Sequence, residues 1–390
     1  MSELMRVLHA YKVYRPDAEG GIPEVISQLA ELRSLGDHCA VLTARSRGFG
    51  REFELAGVEV HAVGSFGQLL SMPIAPQFPF RLRRRARRVD VLALHAPFPL
   101  NDLGVALGIP EDAALVVHWH AEILGRKTVM KFLAPVIRHT LARADRIIVS
   151  DQSIIDGSTF LAPHAAKCLV VPYGIEPDEW SSLDQAEQQR AEVLRGQYPR
   201  LVVSMGRLVP YKGYPQLLHA LQRTDAHLVI IGEGSEKAAL LQLADELGVA
   251  DRLTLTGFLP RPDMKVYLHA ANAFVLPSVT AAEAFGLVQI EAMAAGLPVV
   301  NTWLPTAVPK IARDGVEGLT VEPNDPAALA KAINRLLDDR PFAARLAAAG
   351  RQRVAAEYSK SLFLRRIRSI YADAVADRRT PAAPKHQTKS

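Results

Sequence analysis

The chain is predicted to be α/β, built of two doubly wound parallel-sheet (Rossmann-like) domains facing across a cleft, and three observations predict it. Runs rich in Val, Ile and Leu alternate with segments of helical period along nearly the whole sequence. Strands this apolar are covered on both faces, as those of parallel sheets are. The runs also fall into two series separated by one polar stretch, and 390 residues suffice for two domains with a core each.

The first series is RVLHA, CAVLT, VDVLALHA, ALVVHWH, RIIVS and CLVVPY; the second is RLVVSMG, HLVIIG, RLTLTG, AFVLPS, PVVN and GLTVE. Between them Glu176 to Pro199 is polar and charged, and it reads as a linker (176–199) with a short helix. The domains expected on either side span 1–175 and 200–357. PEVISQLAELRSLG, EKAALLQLADELG and PAALAKAINRLLDD carry apolar residues at three- and four-residue spacing, the mark of amphipathic helices. The tail 376–390, ADRRTPAAPKHQTKS, has nothing to pack and reads as disordered.

Bulk properties exclude several classes. At 49% hydrophobic and 22% charged the chain is too apolar for disorder. The net charge of +5, from 46 basic and 41 acidic residues, is too small to argue for nucleic acid by itself. Cys39 and Cys168 sit in strand-like runs and read as buried thiols of a reducing compartment. MSELMRVLHAY leads straight into a strand, without a signal peptide. The uncharged stretches Ala62 to Phe80 and Ala292 to Pro309 are each broken by three prolines, so neither reads as a spanning helix. A cytoplasmic soluble protein is expected.

The stretch SVTAAEAFGLVQIEAMAAGLP follows the strand AFVLP and places two acids in apolar surroundings. Helical spacing starts near Phe285, with Leu287, Val288, Ile290 and Met293, so Glu283 falls in the loop and Glu291 inside the helix. Amides of Ala284, Phe285 and Gly286 at the helix start attract anions, and Gly286 admits a ligand close to the backbone. The helix dipole accounts for Glu283. It does not account for Glu291, which shares a face with Leu287 and Val288 and needs hydroxyl or cationic partners. A ribose diol would serve.

Other stretches also follow strands. VSMGRLVPYKGYPQLLHAL is a strand, a Gly206-Arg207 loop, then Lys212-Gly213 opening a helix, and cations so placed favour phosphate. YKVYRPDAEGGIPEVISQLA sets Gly20-Gly21 before a helix without a GxGxxG fingerprint. ALVVHWHAEI puts His118 and His120 on one face and Trp119 on the other. With Glu122 they suggest a metal, but no further ligand cluster accompanies them. FPFRLRRRARR holds Arg81, Arg83, Arg84, Arg85, Arg87 and Arg88: either a solvated helix face, or a site for anionic lipid head groups or a pyrophosphate acceptor.

Glu283 and Glu291, seven residues between them inside AEAFGLVQIEAMAAGLPVV, resemble the Glu-x7-Glu motif of the retaining glycosyltransferases of the GT-B fold, family 4. VIIGEGSEK and GVEGLTVEPNDPAALAKAI also resemble that family, so the likeness covers nearly all of Leu201 to Leu337. The resemblance implies that Glu283 lies by the donor sugar, Ala284, Phe285 and Gly286 near sugar and phosphates, and Glu291 on the ribose. It implies that Arg207 and Lys212 grip the diphosphate and that Gly20 and Gly21 face the donor phosphates. It points to His120 as the histidine at the reacting sugar, while the wording HWHAE leaves the choice between His118 and His120 open. A terminal helix over 359–375 is expected to pack back on the first domain through Tyr358, Phe363, Ile367 and Tyr371, with hinges near Gly174.

HAPFPL, HWHAEILGRK and TWLPTAVPKIARDGVEGLTV are similar to bacterial mannosyl- and rhamnosyltransferases of surface-polysaccharide assembly. The function implied moves a hexose from a nucleotide sugar, GDP-mannose favoured over UDP-hexose, to a lipid-linked or saccharide acceptor. With no Asp-x-Asp motif, no metal or other cofactor is expected. Arg83, Arg84, Arg85, Arg87 and Arg88 imply an anionic membrane surface as a partner, on the inner face of the cell membrane; nucleic acid is not expected. The alternatives are a sugar phosphorylase or nucleotide-sugar epimerase of the same architecture, and a non-catalytic nucleotide-sugar-binding protein.

Overall fold

The computed structural model describes residues 4–17, 21–69, 72–121 and 127–379. The chain divides into unit 1, drawn from Met1–Pro172 and Phe363–Ser390, and unit 2, Tyr173–Leu362. Unit 1 holds β1 (Arg6–Tyr11), β2 (His38–Ala44), β3 (Arg51–Leu55), β4 (Val58–Val63), β5 (Gln68–Leu69), β6 (Met72–Pro73), β7 (Val91–Ala96), β8 (Ala114–Trp119), β9 (Arg146–Val149) and β10 (Cys168–Val170). Its main sheet runs β10-β9-β8-β7-β1-β2-β4-β3, parallel except for β3 against β4. Strand order reverses between β1 and β7, and ligands of such sheets bind at the carboxyl ends beside that reversal.

The edge pair β3 and β4 is absent from the apolar runs read in the sequence. REFEL carries three charges among five residues, with Glu52 and Glu54 on its solvated face, and Glu59 and His61 interrupt VEVHAV. The two cysteines are free and only half-buried; burial still pushes the Cys39 thiol up to about 12. Among the described residues no helix is long and apolar enough to cross a membrane.

Unit 2 holds β11 (Leu201–Met205), β12 (His227–Ile231), β13 (Leu253–Gly257), β14 (Ala273–Val275), β15 (Val299–Thr302) and β16 (Gly318–Val321). They form one parallel sheet in the order β13-β12-β11-β14-β15-β16, reversing between β11 and β14. Two apolar layers cover its faces, one including Phe274, Ile290 and Met293, the other Tyr214, Leu218 and Leu336.

The polar stretch 176–199 is not a free linker. Pro177–Ser181 and Gln185–Gln197 are helices of unit 2, with Trp180 and Ala191 buried in its core. Asp184 and Glu187 close a reciprocal capping box, and Lys265 meets Glu187 at 2.9 Å. The charge density of this stretch conceals a sparse apolar face, which is why it reads as a spacer.

The chain ends in the helix Lys360–Arg379, whose Phe363, Ile367 and Tyr371 are buried, while Tyr358 packs in the core of unit 2. From Phe363 onward this helix belongs to unit 1. Residues 376–379, expected as part of a disordered tail, are its last turn. Arg378 Nε bonds Asp145 Oδ1 at 2.8 Å, and Asp377 pairs with Arg146. Residues 380–390 of the same expectation lie outside the described residues.

Arg368 reaches Asp37, whose side chain is 0% exposed, at 2.8 Å, and the Met5 amide adds a bond of 3.0 Å to the same carboxylate. Arg368→Ala leaves a buried carboxylate without its cation and is expected to cost about 3–5 kcal/mol. Urea unfolding measures the loss, and hydrogen exchange should speed up in β2 and not in unit 2.

Candidate functional site

The site of unit 2 forms where strand order reverses, from the loops that leave β11 and β14. After β11 the chain turns through Gly206 at φ +147° and closes a short 3₁₀ turn, Pro210–Lys212, before the helix Tyr214–Leu221. Gly213 takes φ +70°, and a Cβ there would run into the Pro277 carbonyl oxygen. Only glycine lets the two loops touch at that point. The Val279 amide donates to the Tyr211 carbonyl at 2.8 Å, and Thr302 Oγ1 donates to the Ser278 carbonyl at 2.6 Å. The loops are thereby fastened to each other and to the end of β15.

Lys212 and Glu283 meet across this seam, both buried, with Nζ 2.6 Å from Oε2. Ser278 Oγ donates to the same oxygen at 3.0 Å. Oε1 has no partner among the described residues, which leaves one carboxylate oxygen to accept from a ligand. Burial pulls the Lys212 ammonium down, but the Glu283 carboxylate, with Tyr214 and Tyr211, outweighs it and the net shift is upward. Lys212 is therefore a fixed cation. Burial pushes the Tyr214 phenol up to about 12, so it stays protonated. Arg207 is exposed on the same loop and has no side-chain partner among the described residues.

The helix after Glu283 spans Val288–Ala294, three residues later than its spacing predicts. The cause is Gly286, whose φ of +78° turns the chain out of a helical path. The Gln289 amide then closes on the Gly286 carbonyl at 3.0 Å. The amides of Ala284, Phe285 and Gly286 have no acceptor among the described residues, while the Ala284 carbonyl accepts from Ala307 at 3.1 Å. The Phe285 ring is anchored edge-on to Tyr173, centroids 4.8 Å apart. Glu291 lies half-buried on the short helix. Arg207, Lys212, Glu283, Ala284, Phe285, Gly286 and Glu291 thus all follow two neighbouring strands. Ser278, which orients Glu283, has only its place at the end of AFVLPS as a signal in the sequence.

In unit 1 the reversal point carries histidines. β7 and β8 pair His95 with His118, and β1 pairs His9 with Ala93, two residues before His95 on the same face. All four rings, His9, His95, His118 and His120, are buried. His118 Nε2 lies 2.6 Å from the Tyr371 hydroxyl of the terminal helix, whereas His120 stands past the end of β8. His118 therefore has a packing task, and His120 is the one just past the carboxyl end of the strand. Trp119 points the other way, toward Phe160. Glu122, weighed above as a metal ligand, lies outside the described residues, and no group of three or more metal-ligating side chains occurs among the described ones.

Gly20 also lies outside the described residues. Gly21 is the exposed first residue of the helix Gly21–Ala30, and a Cβ there would meet nothing within 4 Å. The protein fold itself does not require glycine at that position.

The arginine run does not form one patch. It winds round the helix Phe78–Ala86, with Phe78, Leu82 and Ala86 buried. Arg81 and Arg85 line a cavity of about 740 Å³ with Arg47, Phe49, Arg51 and Phe66. Arg83 and Arg87 line a hollow of about 440 Å³ at Gly108–Asp112, while Arg84 and Arg88 are exposed. Arg85 is not a free cation, because it holds Glu52 at 2.6 Å.

Comparison with known proteins gives these relations. Residues 185–353 match the family described as glycosyl transferases group 1, and residues 20–174 match the glycosyl transferase 4-like domain. The chain is 30% identical over 356 residues to the O-antigen chain mannosyltransferase C of Escherichia coli, covering 90% of this chain and 93% of that one. It is 32% identical over 334 residues to the D-rhamnosyltransferase WbpZ of Pseudomonas aeruginosa, covering 85% and 86%. Among solved structures it resembles the sucrose-phosphate synthase of Thermosynechococcus elongatus with a TM-score of 0.82 at 22% identity, covering 95% and 99%. It resembles WaaG, a glycosyltransferase involved in lipopolysaccharide biosynthesis, with a TM-score of 0.69 at 18% identity, again covering 95% and 99%.

Two outcomes are expected from this geometry. Lys212→Ala strands Glu283 in the interior and should cost about 3–5 kcal/mol, whereas Lys212→Met with Glu283→Gln should recover much of that loss; thermal unfolding of the variants measures both. Burial lowers His9 and His120 from 6.5 to about 3. Below about pH 6.5 the unfolded chain therefore takes up protons that the folded chain refuses, and stability falls with pH through that window. His9→Phe should flatten the fall of the thermal midpoint between about pH 7 and pH 4.

Proposed function

The chain belongs to the group 1 glycosyltransferases of GT-B fold, and from that premise we propose a retaining, metal-independent hexosyltransferase that uses GDP-mannose in preference to UDP-hexoses. The observation that carries the reading is the buried Lys212–Glu283 pair on a seam that also bears Arg207 and the amides of Ala284–Gly286, with one carboxylate oxygen, the guanidinium and the amides all without a partner among the described residues. Cleavage of the anomeric carbon–oxygen bond leaves negative charge on the diphosphate and positive charge on the sugar ring. Arg207, Lys212 and the amides would meet the first electrostatically, which is the work a metal does elsewhere. Glu283 Oε1 and His120 would take the hydroxyls of the transferred sugar, and Glu291 the ribose.

A glycosidase-like double displacement needs two carboxylates flanking the anomeric carbon. Among the described residues only Glu283 fits that task, so same-face displacement is favoured: the acceptor oxygen bonds to the anomeric carbon as the phosphate oxygen leaves and takes the acceptor proton. The acceptor proposed is lipid-linked or a saccharide. The cavity at Phe49, Phe66, Arg81 and Arg85 favours an anionic, apolar-tailed molecule or membrane surface, since Phe49 is 94% exposed beside cations.

Purified protein with labelled nucleotide sugars and a polyprenyl-pyrophosphate-linked saccharide should release GDP and extend the acceptor, unimpaired by EDTA, with the donor's anomeric configuration kept. Turnover of no donor would count against the whole reading. Arg207→Ala should lower kcat by about a hundredfold. In flotation with phosphatidylglycerol vesicles, neutralising Arg81, Arg83 and Arg84 together should abolish binding; equal binding by parent and variant refutes the membrane role.

A further inference from the structure

The histidines of unit 1 are joined ring to ring. His9 Nδ1 lies 3.2 Å from His95 Nε2, and His95 Nδ1 lies 2.8 Å from His120 Nε2. The His95 and His120 rings are within 4° of coplanar. An imidazole N–H and an imidazole lone pair both lie in the ring plane, so near-coplanar rings align donor with acceptor. His118 stacks on His95 at 4.7 Å and is itself held by Tyr371, so the central ring is clamped from the side. Burial keeps all four histidines far below their ordinary value, hence neutral, with one proton each.

One proton per ring imposes a rule on the row. If His95 donates from Nδ1 to His120, its Nε2 has only a lone pair and must accept from His9 Nδ1; His120 then carries its proton on Nδ1. If His120 donates from Nε2, His95 must carry its proton on Nε2 and donate to His9, which carries its own on Nε2. Mixed arrangements set two lone pairs or two protons against each other in a dry interior, where an unmade hydrogen bond costs most.

We propose that His95, backed by His9, is a positioning residue for His120: the two ring-to-ring bonds lock the three imidazoles into one shared tautomer and fix the plane in which His120 meets its substrate. The inference rests on the assignment of His120 to the transferred sugar. The donor or acceptor character of the His120 ring is thereby set two strands away.

The lock is tested on the unaltered protein by long-range proton–nitrogen spectra of ¹⁵N-histidine-labelled material. His9, His95 and His120 should show the same protonated nitrogen; a different tautomer at any one of them overturns the lock. In kinetics, His95→Phe keeps the ring volume but breaks both bonds, and should lower kcat by about ten- to a hundredfold with donor KM little changed. His95→Asn, whose amide sits where Nδ1 was, should recover to within about threefold of the parent. Equal losses in both variants, or parental kcat in His95→Phe, overturn the positioning role. Full activity in His120→Ala would instead remove the assignment of His120 and leave the spectra to decide the lock.

Discussion

The ion pair between Lys212 and Glu283 is the constraint from which the site of unit 2 follows. Two charges taken out of water are tolerated only if they face each other at close range with the remaining lone pairs occupied. Here the ammonium lies on one oxygen, and Ser278 completes that oxygen. The pair can exist only if two loops from neighbouring strands are held at fixed separation. Gly213 against Pro277, the Val279–Tyr211 bond and the Thr302–Ser278 bond supply that separation. The cost of desolvating both groups is thus met by the folding of the unit, before any ligand arrives.

Unit 1 solves a related problem with the opposite chemistry. Its reversal point contains four buried imidazoles and no buried ion pair among them, each ring deprived of charge by its surroundings. A neutral ring can present a hydrogen bond in a fixed direction without attracting counterions. One unit therefore offers fixed charge, suited to phosphate, and the other fixed direction, suited to hydroxyls.

The parallel strands with apolar runs and their carboxyl-end loops were legible because such strands are apolar throughout and the candidate site residues directly follow them. Lys212, Glu283 and the amides after it could be named from their places after LVVSM and AFVLP. What escaped had mixed signals. β3 is an edge strand with mostly charged residues, its neighbour β4 has its apolar run broken by Glu59 and His61, and the helix Gln185–Gln197 shows charge on every turn while burying Ala191. The late start of the helix at Val288 came from one glycine dihedral that periodicity cannot register. The histidine row left a trace, His before the ends of RVLHA, VDVLALHA and ALVVHWH, but only register turns three separate letters into one line. The arginines carried the reverse error. Six cations close in sequence look like one surface, yet a helix spreads them round its axis and Glu52 occupies one.

Unit 1 is assembled from two stretches of the chain that lie far apart in sequence. Asp37 meets its cation 331 residues later, and His118 finds Tyr371 after 253. At about 5–20 residues per second a ribosome needs tens of seconds to span such gaps. For that interval the nascent first unit carries an unneutralised aspartate and an uncovered seam, while the second unit can already complete its own sheet. The order of translation is consequently not the order of completion: the part made first is finished last.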